Sequence, residues 1–221
     1  GGRHWMGAPS VLFGTDDLAE DASGEPLGQM VPAAALQAAL DDVATTTPNL
    51  TCLHNTRFTG LAPHPAHARL TLDDGRTIDA GLVAACDGMK SGVRTALGIA
   101  TEGRAYGKSV FAADVKLSRP HNGLARQLFT PEGPFATLPL PGNRANLAWY
   151  MKTGAPEAMA AMPAADIEAE LNARFADFAG EMKLDGQPLA YALHLQLATG
   201  MIGPRTALLG DAAHRINPLA G

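Results

Sequence analysis

The sequence predicts an α/β fold, with a second layer that is α+β in character. Short apolar runs at 82–86 and 207–209, each followed by an Asp beside a Gly, are typical of buried strands of a parallel sheet. Between 33 and 45, apolar residues recur at helical spacing, which predicts a helix in addition to these strands. From 110 onwards, strand-like runs separated by Gly and Pro turns favour an antiparallel sheet.

Composition is that of a folded protein. Hydrophobic residues make up 46% of the 221 residues and charged residues 18%, so a sizeable core is available and disorder is not expected. A net charge of −5 without basic tracts argues against nucleic acid as a partner. No window reaches the roughly 18 uninterrupted apolar residues that a membrane span needs. Cys52 and Cys86 lie in apolar contexts, which predicts reduced core residues of a cytoplasmic protein.

The first half predicts one helix and a β-meander. Pro32 suits the first helical position, and Leu36, Leu40 and Val43 form one apolar stripe of a helix over 33–45. The strand pieces and the hairpin turn that follow are predicted, in chain order, at 50–54, 56–61, 68–72, 73–76 (the turn) and 77–80.

The second half predicts the antiparallel layer and a helix. Strands are expected at 110–115, 125–129, 135–140, 145–151 and 191–197, with a hairpin turn at 141–144. Pro163 opens a helix whose apolar stripe consists of Ile167, Leu171, Phe175 and Phe178.

The closing stretch carries the first motif. A strand ends at Gly210-Asp211, and small residues then lead to Pro218 and Gly221. A carboxylate at a strand tip accepts hydrogen bonds, for example from a ribose hydroxyl. The backbone N–H groups of Leu219, Ala220 and Gly221 would face an electron-rich group if a helix begins after Pro218. An ordinary strand-to-loop junction with a capping Asp is the alternative for Gly-Asp alone.

The second motif follows the strand at 82–86. Asp87-Gly88 ends this strand, Ser91 is placed to cap a short helix, and Val93 and Arg94 lie in its first turn. The expected role of Asp87 is positional, because an acceptor there organises the loop and its donors. A plain turn with a capping Ser is the alternative.

Together the two motifs resemble those of the single-component FAD monooxygenases, the aromatic hydroxylases related to p-hydroxybenzoate hydroxylase. The family patterns are Gly-Asp-Ala-Ala-His followed by Pro-x-x-Gly, and Asp-Gly-x-x-Ser-x-x-Arg. The reading Ile-Asn-Pro-Leu-Ala-Gly at 216–221 is similar to the ubiquinone-biosynthesis branch. The likeness extends from about residue 27 to the last residue.

The resemblance implies a site for FAD. Asp211 would hold the ribityl and pyrophosphate region, Asp87 would lie near the pyrophosphate, and the backbone around Phe58 would pass the adenine. The positions that the resemblance assigns to the cofactor are Gly210, Asp211, Asp87, Gly88, Pro218, Leu219, Ala220, Gly221 and Phe58. No catalytic side chain is predicted, and the spacing of His54, His64, His67 and His121 predicts no metal site.

The resemblance also implies a domain division and a reaction. Residues 1–100 and 204–221 would form an incomplete FAD-binding domain and 101–203 a substrate-binding domain. We expect an internal segment of a longer enzyme, because no Gly-x-Gly-x-x-Gly follows a strand. FAD, reduced by NAD(P)H or another reductant, would react with dioxygen, and the flavin hydroperoxide would hydroxylate an electron-rich aromatic ring. The branch implies a polyprenylated phenol, and with it association with the inner membrane surface or a multi-enzyme complex.

Two other functions stay open. A soluble aromatic acid is the alternative substrate. A non-catalytic assembly subunit is the alternative class, because Ala33 and Ala34 stand where family members often carry an Arg that approaches the flavin.

Overall fold

The structure is a computed structural model that describes residues 11–14, 17 and 27–216. Over these residues the helices are α1 (Ala33–Thr46), α2 (Gly92–Ala96), α3 (Ala155–Ala160) and α4 (Ala164–Ala179). The strands are β1 (Phe58–Pro63), β2 (Ala68–Leu72), β3 (Thr77–Ala80), β4 (Val83–Ala85), β5 (Thr101–Leu117), β6 (Arg126–Phe129), β7 (Pro134–Leu140), β8 (Arg144–Lys152), β9 (Met182–Leu184), β10 (Leu189–Ala198), β11 (Ile202–Gly203), β12 (Thr206–Leu208) and β13 (His214–Arg215). The predicted mixed α/β fold class is confirmed.

The chain divides into two compact units. Unit 1 comprises Gly1–Thr46 and Ser109–Tyr191, and unit 2 comprises Thr47–Lys108 and Ala192–Gly221. Of the three boundaries between the units, one lies at the end of α1 and the other two fall inside strands, one in β5 and one in β10. The predicted division into an FAD-binding and a substrate-binding domain concerns function, and it stays a prediction.

Unit 1 is the predicted antiparallel layer. Strands β5, β8, β7 and β6 follow one another in its sheet, and β9 pairs with β5. Helix α4 covers one face because Ile167, Leu171 and Phe175 all point into the core. The rings of Phe135 and Phe175 stack with their centroids 3.7 Å apart. The predicted helix after Pro163 and its apolar stripe are confirmed.

Unit 2 contains the β-meander and the short parallel pair. Strands β1, β2 and β3 form an antiparallel sheet, and β4 pairs in parallel with β12. The hairpin turn between β2 and β3 is confirmed, with Gly75 at a φ of 84°. A small core joins the two halves of the unit, and its buried members are Ala85, Val93, Leu208, Ala212 and Ala213.

Three expectations are corrected. No strand forms over 50–54, because Asn49 and Asn55 on either side adopt left-handed φ values of 61° and 54°. Cys52 and Cys86 are exposed rather than in the core. Cys86 continues the period-two alternation of β4, which buries the side chains of Val83 and Ala85 and turns Cys86 outwards.

Helix α1 has the predicted extent but not the predicted burial. It begins after Pro32, yet Leu36, Leu40 and Val43 are 53%, 55% and 62% exposed. No helix among the described residues has the length and apolar character needed to cross a membrane.

We expect the Leu171→Ala substitution to lower the free energy of unfolding by about 2–5 kcal/mol, because Leu171 is fully buried under the sheet of unit 1 and its loss leaves a cavity. Chemical denaturation measures this change. The matched control is Leu189→Ala, whose side chain is 65% exposed and whose loss should cost less than about 0.5 kcal/mol. Equal effects of the two substitutions would contradict this packing of α4.

Candidate functional site

The two acidic motifs meet at one edge of a sheet in unit 2. Strands β4 and β12 run in parallel, with Val83 opposite Thr206 and Ala85 opposite Leu208. The ladder continues one residue further, where the N–H of Leu209 donates to the carbonyl of Ala85 at 2.9 Å. Because parallel strands end on the same side, the Asp87 loop (residues 87–91) and the Asp211 loop (residues 209–213) leave the sheet side by side.

A glycine beside each acid makes the turn possible. Gly88 has a φ of 80° and Gly210 a φ of 54°, a region that side chains with a Cβ rarely adopt. A Cβ built on either glycine would meet no heavy atom within 4 Å, so conformation and not crowding favours glycine here. Both positions were predicted as site residues, and the structure explains them as turn residues. Their contact with a cofactor stays a prediction.

Asp87 organises its own loop, as its position after a strand led us to expect. Its Oδ2 accepts a hydrogen bond from the N–H of Val93 at 3.1 Å. Partial burial works against the charged form, but hydrogen bonds from the Ser91 hydroxyl and the Val93 N–H outweigh it and hold the pKa of Asp87 below its ordinary value. The carboxylate is therefore ionised and tied to the start of α2.

Ser91 is the predicted N-cap of α2. Its Oγ accepts a hydrogen bond from the N–H of Arg94 at 2.9 Å, and the residue is fully buried. The cap satisfies one of the backbone donors that the first turn of a helix leaves free. Ser91 and Asp87 thus hold consecutive residues of the same turn.

Arg94 joins the two loops. Its side chain is only 8% exposed, and its guanidinium donates to the carbonyl of Met89 at 2.7 Å and to the carbonyl of Ala212 at 2.8 Å. Met89 belongs to the Asp87 loop and Ala212 to the Asp211 loop. The spacing of the motif identifies Arg94. Nothing in the sequence indicates that its partner is Ala212, 118 positions away.

Two further residues contact Met89, and sequence analysis did not identify either of them. Gln196 of β10 donates through Nε2 to the carbonyl of Met89 at 3.1 Å. Arg215 of β13 places Nη1 2.8 Å from the Met89 sulfur. Gln196 and Arg215 are direct cross-strand partners, so one face of this strand pair makes both contacts with Met89. The alternation of His194 and Gln196 with leucines in β10 was the available signal.

Asp211 differs from Asp87 in the donors that the described residues offer to its carboxylate. It lies in a 3₁₀ turn over Gly210–Ala212 and is exposed. Its carboxylate accepts no hydrogen bond from any residue that the structure describes. A free carboxylate at a strand tip is an acceptor for hydroxyl groups of a ligand.

The remaining predicted residues fall into two groups. The ring of Phe58 is half-buried against the core of unit 2, 3.5 Å from where a Cβ on Gly92 would lie, so its side chain packs rather than faces a ligand. A backbone contact between the Phe58 strand and a cofactor stays a prediction. Pro218, Leu219, Ala220 and Gly221 lie outside the described residues.

A cleft of about 620 Å³ opens beside Met89 and Arg94 in unit 2. The start of β5 and the end of β10 form its walls, and Lys90, Arg104 and His194 face it together with one acid, Glu102. The surplus of basic groups makes the cleft suited to a phosphate-bearing ligand. Among the described residues no group of three or more His, Cys, Asp or Glu side chains is arranged to hold a metal ion.

Comparison with curated proteins gives a consistent picture. A family model described as an FAD binding domain matches residues 13–221. The chain is 38% identical over 196 residues to a ubiquinone hydroxylase of Rhodospirillum rubrum, covering 89% of this chain and 46% of that protein. It is 34% identical over 198 residues to the 3-demethoxyubiquinol 3-hydroxylase of Escherichia coli, covering 88% and 50%. The chain therefore spans about half the length of these curated relatives.

A solved structure agrees on the fold. The flavin-dependent monooxygenase PieE, solved in complex with FAD and substrate, superimposes with a TM-score of 0.68 at 18% identity. The match covers 85% of this chain and 34% of that chain. At this level of identity the likeness concerns the fold alone.

The depressed pKa of Asp87 makes stability depend on pH in a defined direction. A carboxyl whose pKa is lower folded than unfolded stabilises the fold above its unfolded pKa of about 3.9, and this stabilisation is lost as the pH falls through the folded pKa. We expect Asp87→Asn to lower the free energy of unfolding at pH 7 and the difference to shrink as the pH falls below about 4. Urea unfolding at a series of pH values measures this.

The control is Asp177→Asn, since Asp177 is exposed and its carboxylate accepts no hydrogen bond from the described residues. A gap between wild type and Asp87→Asn that is the same at pH 3 and pH 7 would contradict the role assigned to this carboxylate.

Proposed function

Since the chain belongs to the FAD-binding domain family, we propose that its protein is an FAD-dependent monooxygenase that hydroxylates an electron-rich aromatic ring. The observation that carries the proposal is the pairing of β4 with β12, which brings the Asp87 and Asp211 loops together at one sheet edge. Ligands of α/β sheets bind outside the carboxyl ends of the strands.

The residues present fit FAD. The cofactor has hydroxyl groups that donate hydrogen bonds and a pyrophosphate that carries negative charge. Asp211 offers a carboxylate that no described residue uses, and the cleft beside the Asp87 loop presents Lys90 and Arg104. Asp87, already committed to Ser91 and Val93, would shape the loop and not contact an anion directly.

In the proposed reaction the cofactor supplies activation of dioxygen, with one oxygen atom going to the ring and the other to water at the expense of two electrons from NAD(P)H or another reductant. The chain supplies binding and orientation. Asp211 would accept hydrogen bonds from ribityl hydroxyls, and Gly88 and Gly210 let the two loops turn beside the cofactor. The rigid pair β4–β12 keeps these groups at a fixed separation.

The substrate we propose is a polyprenylated phenol of ubiquinone biosynthesis. The names of the Rhodospirillum rubrum and Escherichia coli relatives support this class. A prenyl tail partitions into lipid, at about 0.8 kcal/mol per CH₂ group, so the enzyme would meet its substrate at a membrane surface or receive it within an enzyme assembly.

A non-catalytic assembly subunit is the second candidate. It is favoured by Ala33 and Ala34 at the start of α1, where the resembled family often carries an Arg towards the flavin. Flavin absorbance separates the candidates, because an assembly subunit would be colourless and would not take up added FAD.

We expect Asp211→Asn in the full protein to weaken FAD binding by roughly tenfold or more, because a hydrogen bond to a charged acceptor contributes about 1.5–3 kcal/mol. Titration of the apoprotein with FAD, followed by quenching of flavin fluorescence, measures the dissociation constant. Asp177→Asn is the matched control and should bind as wild type does. Unchanged affinity in Asp211→Asn would remove Asp211 from the site.

Product analysis tests the substrate class. We expect the full protein, supplied with FAD, a reductant and dioxygen, to insert one oxygen atom into a prenylated phenol and not into p-hydroxybenzoate. Mass spectrometry with ¹⁸O₂ detects the transfer. Labelling of p-hydroxybenzoate alone would assign the protein to the soluble aromatic acids instead.

A further inference from the structure

Arg94 is a buried cation whose observed partners are main-chain carbonyls. Its side chain is 8% exposed, and no described carboxylate forms an ion pair with it. Burying a guanidinium is costly unless its donors are satisfied. Here the acceptors are two backbone carbonyls, of Met89 and of Ala212. The planar guanidinium presents its donors in a fixed fork, so the side chain sets the spacing between the two carbonyls as well as satisfying them.

Arg94 and Met89 are each held by contacts other than the hydrogen bond between them. On one side, the backbone N–H of Arg94 is capped by Ser91, which fixes where its side chain begins. On the other, the Met89 carbonyl also accepts from Gln196, and the Met89 sulfur lies against Arg215. The Asp87 loop is therefore held in place by several contacts. Arg94, in the helix that follows this loop, extends from there to the Asp211 loop.

The Asp211 loop is held by its main chain and by the burial of Ala212 and Ala213, and the carbonyl of Ala213 accepts a hydrogen bond from the N–H of Ala198 at 2.8 Å. Its 3₁₀ turn is closed by two backbone hydrogen bonds, from Ala212 to Leu209 at 3.2 Å and from Ala213 to Gly210 at 2.9 Å. The carboxylate of Asp211 has no described donor to hold it. Among the described side chains, Arg94 of α2 is the one that donates to this loop, and it does so at the residue next to Asp211.

From this arrangement we infer that Arg94 is a positioning residue, which fixes the Asp211 carboxylate relative to the Asp87 loop and thereby sets the affinity of the site for a flavin nucleotide. The inference rests on the proposed function. Arg94 needs no contact with the ligand for this role, because both of its bonded partners are main-chain atoms of the site loops.

A double-mutant cycle in the full protein tests it. The variants are Arg94→Met, Asp211→Asn and the two combined, with Arg94→Lys as the conservative change and Arg57→Met as the control. Arg57 is exposed, and its side chain makes no hydrogen bond to described residues. Two quantities are measured for each apoprotein: the FAD dissociation constant by fluorescence quenching, and the midpoint of thermal unfolding.

We expect Arg94→Met to weaken FAD binding by about tenfold, which corresponds to the loss of one positioned hydrogen bond. In the Asp211→Asn background the same change should have an effect below about twofold, because there is no longer a carboxylate to position. Arg94→Lys should lie between wild type and Arg94→Met, since an ammonium group can still donate to a carbonyl. Arg57→Met should bind FAD as wild type does.

The other outcomes overturn the inference in distinguishable ways. If Asp211→Asn weakens binding but the Arg94 effect is unchanged in that background, Arg94 acts through general stability; the proposed function stands and the inference fails. If Asp211→Asn has no effect, Asp211 is not part of the site and the inference fails, whereas the proposed function fails only if the wild-type protein does not bind FAD. Should Arg94→Met not fold, Arg94→Lys takes its place in the cycle, and wild-type affinity with a lowered thermal midpoint in that variant would reject a positioning role.

Discussion

The parallel pairing of β4 with β12 is the contact on which the candidate site depends. Each strand is three residues long, and few hydrogen bonds hold it. Register is instead fixed by burial: Ala85 and Leu208 point into the small core of unit 2 together with Val93. A slip of one residue would turn these side chains outwards. The same core therefore fixes both the pairing and the direction in which the two loops leave the sheet.

Two carboxylates at neighbouring strand tips have taken different roles because their surroundings differ. Asp87 is used by its own loop, which accounts for the lowered pKa of this carboxyl. Asp211 lies in a 3₁₀ turn whose backbone hydrogen bonds are closed without it. Donors within its own loop make Asp87 a part of the scaffold, whereas no described donor occupies the carboxylate of Asp211, which is the acid that we propose for the ligand. The presence of an Asp at a strand tip does not by itself determine which role it has. The role depends on whether N–H groups close to the carboxylate donate hydrogen bonds to it.

What the sequence could predict was the local part of this arrangement. The cap of Ser91 on Arg94 acts over three positions, and the strand β2 follows from an alternation of five residues, so both are readable along the chain. The bond from Arg94 to Ala212 is not, because it depends on how strands far apart in sequence pair. The prediction that the apolar stripe of α1 is buried fails for the same reason. The apolar stripe of α1 predicts a helix correctly, but whether another element covers the stripe is a tertiary property.

Because Arg94 donates its hydrogen bonds to carbonyls and not to a carboxylate, its charge is not neutralised. An acidic partner would also have satisfied the guanidinium, but it would have cancelled its charge. Two carbonyls accept from Nη1 and Nη2 and leave the positive charge in place, beside a cleft that Lys90 and Arg104 also face. The residue that ties the two loops together therefore keeps its charge, while its two main-chain partners confine its role to setting the spacing of the loops.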